Sequence, residues 1–206
     1  MRKRPQQQRA KRIVDDILEA TLYCISQHGV LHTTTPKIAE ISGVSVGSIY
    51  QYFENKEQIV EELLLRKSEK LGLGFKALIM EEQHKSIQEV IQNSIEFGFE
   101  SLKEDQGFLI EILKNWHEYT ESESAQVLEK HFFEVGLYVF NRFYSHWNFE
   151  TLKHKSFVII NSTLFTMMRY VSHNQFLIEE ARLKKELLTM LLAYLTNMDD
   201  GSVLEN

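Results

Sequence analysis

Apolar residues recur along most of the chain with the period of an α-helix, at i, i+3, i+4 and i+7. The pattern predicts a first helix over about residues 8–28, ended by Gly29, with Ile13, Ile17, Ala20, Thr21, Cys24 and Ile25 on its inner face. Later segments with the same period are 86–103, 106–119, 123–147, 154–173 and 176–198.

Few residues in the sequence break a helix. Pro5 and Pro36 are the only prolines, and Gly72, Gly74 and Gly107 are weak breaks. With no strand-like alternation to set against these helical patterns, the sequence predicts an all-α protein.

The stretch from residue 32 to residue 63 predicts two short helices joined by a tight turn. Thr35 supplies a capping hydroxyl, and Pro36 suits the first helical position because its missing N–H costs nothing there. Gly43 follows this helix, at a C-terminal position that favours a residue tolerant of positive φ.

Ser45 then caps a second helix over about residues 46–53. Ile49 and Phe53 lie four residues apart, so both can point inward. The residues left on the outer face are Val46, Gly47, Ser48, Tyr50, Gln51 and Tyr52. Helix, glycine turn and short helix make a helix-turn-helix, whereas a tight helical corner inside an all-α domain is the structural alternative.

The outer face of the second helix is small, polar and aromatic, with almost no charge. A helix that enters a DNA major groove must be slim and must carry groups that reach base edges. Gln51 can pair with adenine N6 and N7, Val46 can meet a thymine methyl, and Gly47 allows a close approach. The hydroxyl-bearing and basic side chains can hold phosphates. The candidate DNA-binding residues are Thr34, Thr35, Ser45, Val46, Gly47, Ser48, Tyr50, Gln51, Tyr52 and Lys56.

The same residues carry a family resemblance. The run TTPKIAEISGVSVGSIYQYFENKEQIV, with its core G-V-S-x-G-x-I-Y-x-Y-F-x-x-K-E, resembles the DNA-binding domain of the TetR (tetracycline-repressor-like) family of bacterial transcriptional regulators. The resemblance runs from near Arg9 to near Leu65. It favours a phosphate contact for Lys56, at the start of the fourth helix, over a free surface lysine. The remaining two-thirds of the chain carry no such motif, as expected for the diverse ligand-binding half of this family.

With 206 residues, of which 43% are hydrophobic, the chain can bury the core of one large domain or two small ones. We expect a basic disordered arm at 1–8 and a DNA-binding domain at 9–54, with its motif at about 34–53. A connecting helix at 55–72 should lead to a helical ligand-binding and dimerisation domain at 73–206.

Charge is unevenly distributed. The net charge is −6, yet residues 1–60 carry eight Lys or Arg and six acids, so this part is +2 and the remainder −8. The first twelve residues hold six basic residues and no acid. Such an arm can lie along phosphates or enter a minor groove, or it can be a solubilising tail. No apolar stretch follows it, so we expect no secretory signal.

Cys24 is the only cysteine and cannot form an internal disulfide, which fits a reducing cytoplasm, where we place the protein. Its position on an apolar stripe makes it a small core residue rather than a redox sensor. The longest charge-free apolar run, 156–168, is too short to span a bilayer, which needs about 20 residues.

The C-terminal part is rich in aromatic residues that can line an apolar cavity, although a plain helical core is the alternative for each of them. The region looks poor in buried Lys or Arg, so we expect a hydrophobic or aromatic effector rather than a phosphorylated one, and no cofactor. The candidate ligand-binding residues are Phe97, Trp116, Phe133, Tyr138 and Phe140.

The last two helices are apolar on two faces, and both faces must be buried. One face can pack on its own domain, whereas the other favours a two-fold homodimer through a four-helix bundle. The TetR resemblance implies the same arrangement. The candidate interface residues are Phe157, Leu164, Met168, Leu187, Leu191 and Tyr194.

Patterns typical of an enzyme are weak. Glu81 and His84 form a lone Glu-x-x-His pair, whereas a di-iron bundle needs two such pairs and two more carboxylates. We therefore expect no enzyme and no metal, but a repressor released from a palindromic operator by a small hydrophobic ligand, with the fourth helix as the lever. The alternatives are a helical interaction adaptor without DNA binding and a small helical-bundle metalloenzyme.

Overall fold

The computed structural model describes residues 8–81, 85–115, 118–119, 121–145, 148–172 and 177–196. These residues form helices and connecting turns without a strand, which confirms the predicted all-α fold. None of the described helices is long and apolar enough to cross a membrane. The helices are α1 (Gln8–His28), α2 (Thr35–Ser42), α3 (Val46–Tyr52), α4 (Lys56–Glu81), α5 (Ile87–Lys103), α6 (Gln106–Lys114), α7 (Glu123–Phe143), α8 (Phe149–Ser172) and α9 (Glu180–Thr196).

The chain divides into two compact units. The first, which we call the head, comprises 1–73 and 104–131, and the second, which we call the body, comprises 74–103 and 132–206. The sequence analysis assigned 104–131 to the ligand-binding domain, whereas in the structure this segment packs with the head.

α1 packs its apolar face into the core of the head. It spans the predicted residues, and Gly29 follows it with a φ of +82°. Cys24 is fully buried, which confirms it as a core residue, and burial raises the pKa of its thiol. Ile13, on the same predicted face, is half-buried. The buried residues of α1 are Val14, Ile17, Leu18, Ala20, Thr21, Cys24 and Ile25.

A capping threonine and a left-handed glycine set the ends of α2. Thr34, rather than Thr35 as predicted, is its N-cap, because the backbone of Thr34 is extended and its Oγ1 accepts a hydrogen bond from Lys37 N at 3.4 Å. Adjacent threonines offer the same hydroxyl, so the sequence alone does not choose between them. Gly43 has a φ of +68°, as its predicted C-terminal position requires.

α4 runs through both glycines that were expected to break it, and it ends at Glu81 instead of near residue 72. A glycine inside a helix costs about 1 kcal/mol relative to alanine, but here each glycine lets another helix come close. A Cβ on Gly72 would lie 2.5 Å from His131 Cγ, within the head. A Cβ on Gly74 would lie 3.0 Å from Phe97 Cζ, within the body.

α6 is part of the core of the head. Its residues Phe108 and Ile112 are 1% and 3% exposed and belong to the same hydrophobic cluster as α1 and the helix-turn-helix. Gly107, the third expected break, lies inside α6 and permits a close approach to α1, because a Cβ there would lie 3.2 Å from Ser26 Cβ.

Polar contacts tie α4 to the segment 104–131. The Glu61 carboxylate accepts a hydrogen bond from Ser124 N at 2.9 Å, in the first turn of α7, where unpaired N–H groups favour an anion. Lys67 forms an ion pair with Asp105. The head therefore contains the start of α7 as well as α6.

The body is built from the end of α4 together with α5, α7, α8 and α9. α5 packs against both α8 and α9. Lys184 of α9 pairs with Glu96 of α5 at 2.7 Å, and Lys103 of α5 pairs with Glu180 of α9 at 2.8 Å. Hydrogen bonds from Lys103 and Lys184 lower the pKa of Glu180. One cluster of the core consists of Phe75, Ile79, Val90, Val135, Val139 and Phe143.

Three later helix boundaries differ from the prediction. α7 ends at Phe143 and α8 already begins at Phe149, because Asn148 caps α8 by accepting a hydrogen bond from Thr151 N at 2.8 Å. α6 ends at Lys114, before the predicted residue 119.

We predict that Gly72→Ala destabilises the protein although alanine is the better helix former. The new methyl group meets the Cβ and ring of His131, and such overpacking costs about 1–3 kcal/mol. Gly47→Ala is the matched control, because a Cβ there would meet nothing nearer than Ser45 Oγ at 4.0 Å. Denaturant unfolding should show a lower free energy of unfolding for Gly72→Ala and no decrease for Gly47→Ala. A Gly72→Ala variant at least as stable as the parent chain would refute the assigned contact.

Candidate nucleic-acid interface

The short helix α3 is fixed at both ends and along its inner side. Ser45 Oγ accepts a hydrogen bond from Ser48 N at 3.1 Å, which caps the N-terminus as predicted. Phe53 N donates to Ile49 O at 3.0 Å. Ile49 and Phe53 are fully buried, which confirms that they point inward. The outer face of α3 is therefore held in one orientation.

That outer face carries several of the candidate DNA-binding residues. Gln51 and Gly47 are exposed, and Tyr50 is 43% exposed. Open space beside Gly47 leaves its backbone accessible. Thr34 and Ser45, the two N-cap residues, are also exposed. A ligand that approaches this surface meets hydroxyl, amide and backbone groups before it meets any charge.

A hydrogen bond between two hydroxyl groups links α2 to α3. Thr35 Oγ1 and Tyr50 OH are 3.2 Å apart, although the residues are 15 positions apart in sequence. The contact places two O–H groups side by side on the surface. Because one hydroxyl donates to the other, the pair keeps one O–H with which it can donate to a phosphate oxygen. Both residues are DNA-binding candidates in the sequence, but only the structure shows that they are paired.

Two candidate residues lie deeper than predicted. Tyr52 is 9% exposed and belongs to the hydrophobic core, so the prediction that it stays outside is wrong. The reason is its spacing, since Ile49, Tyr52 and Phe53 stand at i, i+3 and i+4 and share one helical face. Val46 is half-buried against the same core, which leaves only part of its side chain for a thymine methyl.

Lys56 has a partner inside the protein. Its Nζ donates to Val30 O at 3.0 Å, and its side chain is 21% exposed. The bond joins the first residue of α4 to the turn after α1. Lys56 is thus not a free surface lysine. An ammonium group has two further N–H donors, so a phosphate contact stays a prediction.

Basic side chains lie exposed at the start of α1, namely those of Arg9, Lys11 and Arg12. The rest of the predicted basic arm, residues 1–7, lies outside the described residues.

The helix-turn-helix with this exposed face matches a known family. Residues 17–63 fit the family model described as bacterial regulatory proteins of the tetR family. Over these residues the chain resembles that family. The matched residues cover α2, α3 and most of α1, and they continue into α4.

A curated repressor is similar to part of the chain. The probable acrEF/envCD operon repressor of Escherichia coli K12 is 32% identical over 85 residues, which is 41% of this chain. The match spans 31% of that repressor's own length.

Solved structures resemble the chain over head and body. The fatty acid degradation regulator FadR of Bacillus halodurans is 18% identical, with a TM-score of 0.69 over 92% of this chain and 97% of that one. FadR of Bacillus subtilis, solved with stearoyl-CoA, is 21% identical, with a TM-score of 0.67 over 87% and 97%. At these identities the likeness is one of fold.

The candidate ligand-binding residues differ in burial. Phe140 is 7% exposed, and Phe97 and Phe133 are half-buried. Tyr138 is 38% exposed, so the prediction that it faces inward is wrong. Residues two positions apart on a helix point to nearly opposite sides, and Phe140 occupies the inner one. Trp116 lies outside the described residues.

Two features of the body escaped the sequence analysis. Phe75 of α4 stacks on Phe97 with ring centroids 5.9 Å apart and meets Phe132 edge-on at 5.3 Å. Lys155 is only 5% exposed and lies over the ring of Tyr194 at 4.8 Å. The body therefore does contain a buried lysine, contrary to expectation.

The candidate dimer residues also need correction. Leu187, Leu191 and Met168 are 4%, 5% and 6% exposed within one chain, so they have almost no surface to offer a partner. Phe157 is 65% exposed, and Leu164 and Tyr194 are half-buried. The sequence showed that these helices are apolar on two faces. It did not show which of the two faces the chain's own α5 covers.

We predict that the paired hydroxyls of Thr35 and Tyr50 contribute to DNA affinity without contributing to sequence preference. Thr35→Val and Tyr50→Phe should each weaken binding by about 0.5–1.5 kcal/mol. The double variant should lose less binding free energy than the two single variants lose together, because the hydroxyls act as a pair. Gel shifts at fixed salt measure this, with Tyr23→Phe on α1 as the control. Losses that depend on the DNA sequence would contradict the assignment.

Proposed function

We propose that the protein is a cytoplasmic, sequence-specific DNA-binding transcriptional repressor that acts as a homodimer on a palindromic operator and is released by a small hydrophobic ligand. The observation that carries this proposal is the outer face of α3, which is capped, anchored from behind and lined with neutral hydrogen-bonding groups. The match of residues 17–63 to the tetR family model and the similarity to a repressor support the same conclusion.

The head presents separate groups for bases and for phosphates. Gln51 stands exposed near the middle of the outer face, and its amide suits adenine N6 and N7. Thr34, Thr35, Ser45 and Tyr50 of the same helix-turn-helix carry hydroxyls suited to phosphate oxygens. The exposed Arg9, Lys11 and Arg12 add positive charge. These phosphate contacts make affinity fall steeply with salt, which an adaptor without DNA binding would not show.

A partner chain would cover an apolar strip on α8. Phe157, Val158 and Phe165 are 65%, 46% and 51% exposed and lie within about a quarter of a turn of one another, because α-helices have 3.6 residues per turn. Met190 of α9 is 42% exposed. Large exposed apolar side chains clustered in this way favour a protein interface. A two-fold dimer would present two copies of α3 to two half-sites about 34–36 Å apart.

The aromatic interior of the body favours a hydrophobic effector. Phe75, Phe97 and Phe132 form contacting rings, and Phe140 is buried. The complex of a structural neighbour with stearoyl-CoA supports a body that takes an apolar chain. The buried Lys155 lies against Tyr194 in this structure.

Two helices, rather than α4 alone, can carry a signal from the body to the head. α4 and α7 each begin in the head and end in the body as continuous helices. A ligand that binds one conformation better than another changes DNA affinity by its differential binding energy. Coupling of about 1–3 kcal/mol would weaken operator binding about 5- to 150-fold.

We predict that Gln51→Ala relaxes the preference at one position in each half-site, by about 1–3 kcal/mol. Lys56→Ala should weaken binding to all sequences alike. Selection of binding sites from random DNA, followed by salt titration in gel shifts, separates these effects. An unchanged selected site for Gln51→Ala would refute its role in base recognition, and affinity insensitive to salt would refute DNA binding itself.

We predict that Phe157→Glu combined with Phe165→Glu yields a monomer. Both side chains are exposed in the single chain, so charges there spare its own core. Operator affinity should fall together with dimerisation, because a monomer holds only one half-site. Met80→Glu, at a 51% exposed residue of α4, is the control. A double variant that sediments as a dimer would show that the interface lies elsewhere.

A further inference from the structure

The outer face of α1 carries a line of exposed side chains, which we call the charged stripe. It consists of Arg9, Arg12, Asp16 and Glu19, all of which are exposed. Tyr23, which is 55% exposed, continues the line by one more turn. Steps of three and four residues keep these side chains within about 80° of one another around the helix. The same spacing places side chains along the seam where two helices pack side by side.

The charges of the stripe are sorted by sign along the helix. Arg9 and Arg12 come first, and Asp16 and Glu19 follow. The helix dipole favours acidic residues near the N-terminus and disfavours basic ones there, yet the first turn of α1 contains no acidic residue. The order of the charges therefore does not stabilise α1 itself, which points to a partner outside the helix.

The chain itself supplies no such partner among its described residues. Asp15, beside the stripe, pairs with Arg66 of α4 at 2.5 Å. The four charged residues of the stripe form no ion pair and no side-chain hydrogen bond with any described residue. Arg12 and Asp16 are one turn apart, and they do not pair with each other either. All four charges are thus available to another molecule.

Contact with DNA accounts for only half of the stripe. Arg9 and Arg12 suit phosphate groups. Asp16 and Glu19 lie on the same line and would be repelled by phosphates, because like charges raise the energy at short distance. A partner for the whole stripe needs acidic groups at one end and basic groups at the other. A second α1, turned end for end, is such a surface.

An antiparallel second copy of α1 matches the stripe residue by residue. In a two-fold interface each contact occurs twice with the residues exchanged. A two-fold axis midway between Arg12 and Asp16 places each of them opposite the other in the second copy. The midpoint of residues 12 and 16 is also the midpoint of residues 9 and 19, so Arg9 meets Glu19 in the same register. A parallel copy would instead place like charges opposite each other.

We propose that the charged stripe of α1 is an interface for a second copy of this chain, which binds with its own α1 antiparallel. Exposed ion pairs contribute little individually and are screened by salt. The association is therefore weak, depends on protein concentration and is strongest at low salt. It is separate from the apolar strip on α8 and adds a second contact between copies.

Sedimentation velocity of the full chain at increasing protein concentration tests this interface. At about 0.1 M salt the weight-average mass should rise with concentration, by up to about twofold, because one stripe binds one other. At about 1 M salt the rise should disappear, because the Debye length falls from about 10 Å to about 3 Å.

Single charge reversals locate the contact on α1. Arg12→Glu should suppress the rise in mass, because it places acidic groups opposite each other. Lys11→Glu is the matched control, since it makes the same change of charge at the adjacent exposed residue. Lys11 points about 100° away from Arg12 and lies off the stripe, so its variant should associate like the parent chain.

Reversal of the whole stripe provides a rescue. Arg9→Glu combined with Arg12→Glu makes the stripe acidic, and Asp16→Arg combined with Glu19→Arg makes it basic. Neither double variant should associate alone, whereas an equimolar mixture of the two should. The quadruple variant has the reversed pattern, which is again self-complementary, and it should associate like the parent chain.

Circular dichroism of each variant checks that the exposed substitutions leave the helices intact. A parent chain whose mass does not rise with concentration at low salt would overturn the inference. So would an Arg12→Glu variant that still associates, or folded variants of which neither the mixture nor the quadruple variant recovers the rise.

Discussion

The head depends on burying one side of a helix that is too short to be stable alone. α3 has seven residues, and isolated helices shorter than about 12–15 residues are marginal in water. Its stability comes from Ile49, Tyr52 and Phe53, which are 0–9% exposed in a core shared with α1, α2, α4 and α6. Because that burial fixes the rotation of α3, it also decides which side chains face outward. The surface proposed to recognise DNA is in this sense a consequence of packing.

The same core explains why α6 belongs to the head. Phe108 and Ile112 of α6 belong to the same buried cluster as residues of α1, α2 and α3. Gly107 brings α6 against α1, and Glu61 holds the start of α7. A displacement of α6 would therefore act directly on the packing behind α3, because both helices share this core.

Local chemistry made the head predictable from sequence. Caps, a left-handed glycine and the spacing of Ile49 and Phe53 each act within a few residues, so α1, α2 and α3 were found to within about a residue. Tyr52 had the spacing of a core residue, but its hydroxyl suggested a surface role. Two hydrogen bonds join residues that are far apart in sequence, Lys56 to Val30 and Thr35 to Tyr50. No local sequence pattern predicts either of them.

The body was harder to predict because its signals are long-range. In the sequence, each of three glycines resembles a helix break, namely Gly72, Gly74 and Gly107. Only the structure shows that each of them allows another helix to pack closely. Leu187 and Leu191 resemble interface residues until α5 is seen to cover them. The bonding of hydroxyls is still less visible, since Ser156 and Ser162 are the same residue in the same helix, yet of the two only Ser162 has a hydrogen-bond partner among the described residues.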